Sequence, residues 1–415
     1  VVCDQDCHFI REGGTGSGSD WDDALPELPA ALTRGHVYFF AAGAYPGRSF
    51  DDAASGGDTI RVLRATAADH GTDAGWQEAY GTGEATFGPL TIESPDFEID
   101  GRGLTRVIGE FEGDVMSIDA NGVTVRGLDI DGAFAMTGGQ HSAGACSVMN
   151  VHGDNVVIQG NLIHDAADDG VAIGDSTGVQ FIGNHVFSLH GCGTDGGCGP
   201  CYNGHSDGLE IYNLKDSQFL GNFAYDIAST STFFFGNWAD ELGNGPSEYC
   251  ENILIANNIL YNPDTGFVIY VEDVVGVQLF NNTIWGQKQG AYGGLAVGVN
   301  VDGLDLVNNI VLSINFNHLG SSFDPAQHHG DYNFFGSSLG QWQDGPNDVV
   351  GADPGFTGIP DQDGDKVDNP TPDMFAPASG SPVIDQGTGA GTFAIPPNDF
   401  FGKARDSTPN IGAIE

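Results

Sequence analysis

ILIANNILYN (253–262), VQLFNNTIWG (277–286) and LDLVNNIVLS (304–313) share one pattern: a short apolar strand, an Asn-Asn corner, then a second apolar strand. Looser copies precede them, VTVRGLDIDG (123–132), VVIQGNLIHD (156–165), VQFIGNHVFS (179–188) and SQFLGNFAYD (217–226). Asn161, Asn184, Asn222, Asn258, Asn282 and Asn309 occupy the same corner, at spacings of 23, 38, 36, 24 and 27 residues. A solenoid rung takes roughly 20–30 residues, so the two long spacings read as one rung plus an insertion. Asn tolerates the left-handed backbone of a sharp corner, and its amide can bond to the Asn one rung away. A helical bundle gives no reason for this pattern, and an antiparallel sandwich would turn every ~8–12 residues. The fold class expected is all-β, a right-handed parallel β-helix.

Between the corners lies a second strand set: GVAIG (170–174), GLEIY (208–212), TFFFG (232–236), GFVIYVE (266–272) and GLAVG (294–298). Alternation sends Val171, Ile173, Leu209, Ile211, Phe233, Phe235, Phe267, Ile269, Leu295 and Val297 inward. It sends Ala172, Glu210, Tyr212, Phe234, Val268, Tyr270, Ala296 and Gly298 outward, the small, aromatic and acidic floor of a groove. Ser19 to Arg34 reads as a capped amphipathic helix over the first rung, followed by a first strand in HVYFFAAGAYPG (36–47). The expected organisation is an N-terminal cap and first strand over 1–50, the β-helix over 51–340, and a Pro- and Gly-rich segment over 341–415 packed on the last rungs.

GSDWDDALPELPAAL (18–32), VYFFAAGAYPG (37–47), the Asn-marked rungs, and GDYNFFG (330–336), GADPGF (351–356), ASGSPVIDQG (378–387) and PNIGAIE (409–415) resemble extracellular bacterial right-handed β-helix proteins of the pectate-lyase-like superfamily. The resemblance spans nearly the whole chain and implies the scaffold and its caps. Such scaffolds carry lyases, hydrolases, epimerases and adhesins, so function has to be argued from the site.

Fifty-seven acidic residues face 13 Lys plus Arg, a formal charge of -44 spread along the chain. This surface repels nucleic acid, and it repels an anionic polysaccharide unless bound cations intervene. The acidity fits a saline habitat, calcium binding, or both. No apolar run approaches the ~18 residues that would span a bilayer, and Val1-Val2-Cys3 reads as a mature end, so the expected location is secreted or cell surface. Seven cysteines, Cys3, Cys7, Cys146, Cys192, Cys198, Cys201 and Cys250, fit an oxidising compartment and are disulfide candidates. The odd count leaves one thiol unpaired or bonded to another chain. His190, Cys192, Cys198, Cys201 and His205 also have the ligand density of a zinc site, with disulfides the preferred reading and Cys146 and Cys250 as staples for the neighbouring insertions.

Three insertions, 132–146, 188–206 and 228–250, are expected to leave one edge of the helix and wall the groove. Between them the carboxylates cluster. Asp168 and Asp169 precede one groove strand, Asp207 precedes the next, and Glu210 points out of it. Adjacent rungs lie about 4.8 Å apart, close enough for Asp169 and Asp207 to perturb each other. Paired carboxylates suit the acid, base and nucleophile roles of glycoside hydrolysis; turn structure and calcium ligation are the competing readings. DDGVAI (168–173) is similar to the paired-Asp motif of polygalacturonase-type β-helix hydrolases and HSDG (205–208) to their other Asp motif. The order here is reversed, and no Gly-His-Gly or Arg-x-Lys follows.

His190, His205, Tyr212, Phe234, Trp238 and Tyr270 are the candidate substrate-binding residues, the aromatics by stacking on sugar faces. Tyr202 joins the histidines and tyrosines as a candidate acid or base, while Lys215 falls at a corner away from the floor. Asp361, Asp363, Asp365 and Asp368 alternate through a Gly turn as calcium ligands do, and structural Ca2+ is expected there. His328-His329 reads as a loop feature. The preferred function is a secreted polysaccharide-cleaving glycoside hydrolase. The alternatives are a calcium-assisted polysaccharide lyase, and a non-enzymatic adhesive or filament-forming solenoid with an intermolecular contact through the odd cysteine.

Overall fold

The computed structural model describes residues 3, 6–54, 58–110, 113–137, 140–143, 145–190, 206–227, 230–236, 249–263, 267–286, 293–312, 314–315, 328–336, 345–351, 353–359, 367–389, 393 and 395–415. Each sequence repeat forms one rung of a right-handed parallel β-helix. Strands of successive rungs pair in parallel to make three lengthwise ribbons. The groove ribbon runs through Arg48–Phe50, Leu90–Ile92, Met116–Ile118, Met149–Val151, Val171–Gly174, Leu209–Tyr212, Ser231–Gly236, Phe267–Val271, Leu295–Val297 and Ile314–Asn315. The two strands of each quoted repeat build the second and third ribbons. In the rung of Asn258, for example, these are Cys250–Ala256 and Ile259–Tyr261.

Alternating apolar residues meet in columns because the register is constant from rung to rung. Ile158, Phe181, Phe219, Ile255, Leu279 and Leu306 stack in the second ribbon. Met149, Val171, Leu209, Phe233, Ile269 and Leu295 stack in the groove ribbon. All twelve are buried in one continuous core. A rung cannot bury its inner face alone, so stability comes from its neighbours.

The Asn corner separates the second ribbon from the third. Nδ2 of Asn161 donates to Oδ1 of Asn184, and the relay continues through Asn222, Asn258, Asn282 and Asn309 at 2.9–3.3 Å. Asn333 extends it by one rung beyond the expected six, at 3.1 Å. The left-handed residue, however, is the one before each ladder Asn: Gly160, Gly183, Gly221, Asn257, Asn281, Asn308 and Tyr332 all have φ between 56° and 63°. This explains the Gly-Asn and Asn-Asn pairs. The first residue turns the chain and the second stacks, rather than one Asn doing both.

The helix expected over 19–34 is absent; the segment is a run of turns. Oγ of Ser19 donates to Asp23, the Asp23 N–H donates to Oδ1 of Asp20, and Leu25 bonds the backbone of Phe9. Side chains that bond locally compete with a helix ladder, and Pro26 and Pro29 remove donors from it. The segment still covers the first rung, with Trp21, Leu28 and Leu32 buried. That first rung begins at Cys7–Ile10, ahead of the expected first strand, and pairs with Val37–Phe40. A short helix does occur at Glu78–Thr82. At the other end Phe356, Phe375, Val383, Ile411 and Ile414 pack against the outward aromatics Phe223, Tyr225, Tyr261 and Trp285 of the third ribbon. Asn257 and Asn308, freed from the ladder, tie that segment down through the carbonyls of Asn398 and Thr388.

Candidate active site

The outward row of the groove ribbon reads Ala172, Glu210, Phe234, Tyr270, Ala296 across successive rungs. The next outward row carries Gly174, Tyr212 and Gly236. The Phe234 ring leans over Gly236, where a Cβ would lie 2.4 Å from the ring; only glycine fits. Tyr212, Phe234 and Tyr270 form a chain of ring contacts at 5.6 and 5.5 Å, and Phe267 stacks on Tyr270 at 5.0 Å. Together with Asp207, Glu210, Thr230 and Ser231 they line a cleft of about 160 Å³.

The expected inward-outward phase fails at one place. Phe267 lines the cleft and Val268 lies in the core, the reverse of simple alternation. The N–H of Phe267 bonds Thr230 O and that of Val268 bonds Gly293 O, so the chain is still turning the corner at 267–268 and alternation starts only at Ile269. Thr230 and Ser231 are therefore cleft residues that the sequence reading did not name, and Phe267 is one that it sent into the core. Ser231 was recoverable from its register with Asp207, two positions before the paired Leu209 and Phe233.

The carboxylates do come together. Oδ1 of Asp169 accepts the N–H of Asp207 at 2.7 Å. Oδ1 of Asp207 accepts the N–H of Ser231 at 2.6 Å and the hydroxyl of Thr230 at 2.8 Å. Glu210 accepts the Tyr212 hydroxyl. Asp169, Asp207 and Glu210 are each 5% exposed or less. Burial, followed by the charges of Glu210, Asp168 and Asp207, pushes the Asp169 carboxyl well above the usual carboxylate range, and the Asp207 N–H opposes this only in part. Asp168 is half-buried, its N–H bonded to Cys146 O. Tyr270 donates to Glu272 at 2.5 Å; burial and that bond raise its hydroxyl's pKa, making it a poor base.

Other expected site residues lie elsewhere. His190 stacks on Phe134 and faces Asp165 at 3.4 Å, outside the cleft lining. Lys215 pairs with Glu251 at 3.4 Å. Among the described residues, no Lys or Arg lines the cleft. Tyr202, His205, Trp238, Asp361, Asp363, Asp365, Cys192, Cys198 and Cys201 fall outside the described residues; Asp368 is exposed. Cys3 and Cys7 form a disulfide, and Cys146 is disulfide-bonded to a partner outside the described residues. Cys250 is a free, fully buried thiol, pushed up to about 11 by burial. It opens an inward-facing strand, which removes it both as a staple and as a link to another chain.

The insertions also differ from expectation. Segments 132–146 and 190–206 enter groove strands, whereas 237–249 follows Ser231–Gly236. In a parallel ribbon these connections attach at opposite ends of the groove strands, so they leave two edges of the ribbon rather than one.

No family model matches the chain, and no curated protein matches it. Among solved structures it is similar to pectate lyase Pel9A, with a TM-score of 0.60 at 14% identity, covering 100% of this chain and 97% of that one. What the two share is the parallel β-helix fold. A rhamnogalacturonan lyase aligns over 79% of this chain and 87% of its own, at a TM-score of 0.49 and 12% identity.

Proposed function

We propose that the protein cleaves an acidic polysaccharide along the groove by calcium-assisted β-elimination, as an exported polysaccharide lyase. The observation that carries this reading is the burial of Asp207 and Glu210 in the cleft lining with Asp169 bonded behind Asp207, each with one oxygen already held by a protein donor. A hydrolase requires two carboxyl groups that flank a sugar ring at ~5–9 Å, with room for the ring between them. Stacked, tethered carboxylates suit the oxygen-rich shell of a hard cation instead. The likeness to pectate lyase Pel9A points the same way.

The negative charge of Asp168, Asp169, Asp207 and Glu210 would draw the ion to the cleft, and calcium bound there would supply the positive charge that the cleft lacks for a uronate carboxylate. Phe234, Phe267 and Tyr270 present ring faces to the sugars. Tyr212, which lines the cleft and donates its hydroxyl to Glu210, would serve as the proton donor to the leaving group. One observation favours hydrolysis as a second reading: the proton that Asp169 retains would serve a general acid.

Incubation with a panel of uronate-containing and neutral polysaccharides separates these readings. The lyase gives an unsaturated product that absorbs in the ultraviolet, loses activity in chelator, and loses at least ~100-fold in kcat with Tyr212→Phe. New reducing ends without that absorbance establish the hydrolase. No product from any substrate, with or without calcium, overturns both in favour of a binding solenoid.

A further inference from the structure

A second cluster of ligand-type side chains lies on the outer face of the third ribbon, away from the cleft lining. Asp131 is in register with His164, and Asp129 lies two residues before Asp131 on the same strand. Nε2 of His164 is 2.7 Å from Oδ1 of Asp129, while Nδ1 faces Asp165 Oδ2 at 2.8 Å and Asp131 Oδ1 at 3.9 Å. Asp131 is 3% exposed; its Oδ1 accepts the Ala133 N–H at 2.6 Å and its Oδ2 pairs with Arg106. His190 Nε2 lies 3.4 Å from Asp165 Oδ1.

We propose that His164, Asp131 and Asp165 form a binding site for a zinc-class divalent cation, with His190 placed to supply a further ligand. Three features support it. Metal-bound histidines usually donate their other ring N–H to a carboxylate, which fixes the tautomer; Asp129 does this for Nε2, leaving the Nδ1 lone pair aimed at two carboxylates. A proton on Nδ1 reaches Asp165 but not Asp131 at 3.9 Å, whereas a cation is shared by all three. Ligands at ~2.0–2.2 Å from a tetrahedral ion are separated by about 3.4 Å, and the observed 2.8 and 3.9 Å straddle that value.

Charge agrees. With the His164 imidazole neutral, as a metal ligand must be, Asp129, Asp131 and Asp165 against Arg106 leave two negative charges for a divalent ion to neutralise. Imidazole with carboxylates selects a borderline metal over calcium, which prefers an all-oxygen shell. The site lies where three stretches of chain, 131–133, 164–165 and 190, leave the third ribbon ahead of their groove strands, so its ion would tie those stretches together.

Calorimetric titration of the chelator-stripped full chain with zinc chloride tests this. The expected result is one equivalent whose affinity is unchanged in Asp169→Asn, falls at least ~100-fold in His164→Gln, and falls ~10–100-fold in Asp129→Asn. Circular dichroism without metal confirms that each variant is folded, and Asp131→Asn serves as a replacement ligand knockout should His164→Gln not fold. Absence of that equivalent, or undiminished binding in His164→Gln or Asp131→Asn, overturns the proposal and leaves His164 as an imidazolium clamped by carboxylates. Its failure leaves the groove reading untouched, because that reading is tested by calcium-dependent product formation at other residues.

Discussion

Two corners of the same rungs carry stacked polar side chains that grip the backbone of a neighbouring rung, and they differ mainly in being amides or carboxylates. At the ladder corner Oδ1 of Asn258 accepts both the N–H and the Nδ2 of Asn222, while its own Nδ2 passes a hydrogen bond to Asn282. Every lone pair meets a proton. At the groove corner Asp169 grips the N–H of Asp207, and Asp207 that of Ser231, but a carboxylate, unlike an amide, has no N–H to hand on to the next rung. Like charges therefore accumulate where amides would relay, and Asp169 holds its proton unusually tightly. Amides at both corners would make a more stable solenoid. Retained charge at one of them marks the place where something other than stability is being served.

The ladder is the stronger of the two to break. Asn258→Ala leaves the buried Asn222 N–H without its acceptor and takes one bond each from Asn222 Nδ2, which keeps Phe181 O, from the Phe219 carbonyl, and from Asn282 Oδ1, which keeps the backbone N–H of position 258. At ~1–3 kcal/mol for the orphaned N–H and ~0.5–1 kcal/mol for each further bond lost, the expected loss is about 4 kcal/mol in denaturant unfolding. Asn161→Ala should lose less, because its Oδ1 serves only the Leu128 N–H at the start of the ladder. Equal losses would show that stacking is not what the amides contribute. Next in size is calcium. At a hundredfold excess over Kd, ligation by the groove carboxylates should stabilise the wild type by about 2.7 kcal/mol, read as a rise in Tm, and leave Asp169→Asn unmoved. A wild type indifferent to calcium would reduce the Asp corner to turn structure.

The Asn column was legible because a stacking amide repeats at one place in every rung, and constant register then fixed most of the core, including Val171, Leu209 and Phe233. The meeting of Asp169 with Asp207 followed from the same register. What escaped were positions where local chemistry overrides the period. Ser19, Asp20, Pro26 and Pro29 broke a helix that the spacing of Leu25, Leu28 and Leu32 suggested. The corner at Phe267 delayed alternation by two residues, and the Asn-Asn pairs concealed which member turns the chain. The His164 cluster left no motif at all, since Asp131 and His164 are 33 positions apart and meet only through strand pairing.

The smallest expected effect has the opposite sign to the first. Asp169→Asn keeps the acceptor for the Asp207 N–H and places an amide donor among Asp168, Asp207 and Glu210, turning the groove corner into a short piece of ladder. In chelator near neutral pH the variant should be slightly more stable than the wild type, while losing the proposed activity. The pH dependence follows from the direction of the Asp169 shift, its folded pKa standing above the unfolded value near 3.8. Below that value both states carry the proton and wild type and variant should coincide. As the pH rises, the unfolded chain releases its proton first, so the wild type loses stability until the folded pKa is passed, and the variant does not. Melting curves from acid to neutral pH should thus begin together and separate. Curves that run parallel would mean that the carboxylates at this corner do not oppose one another, and that the contrast with the amide ladder lies in shape rather than charge.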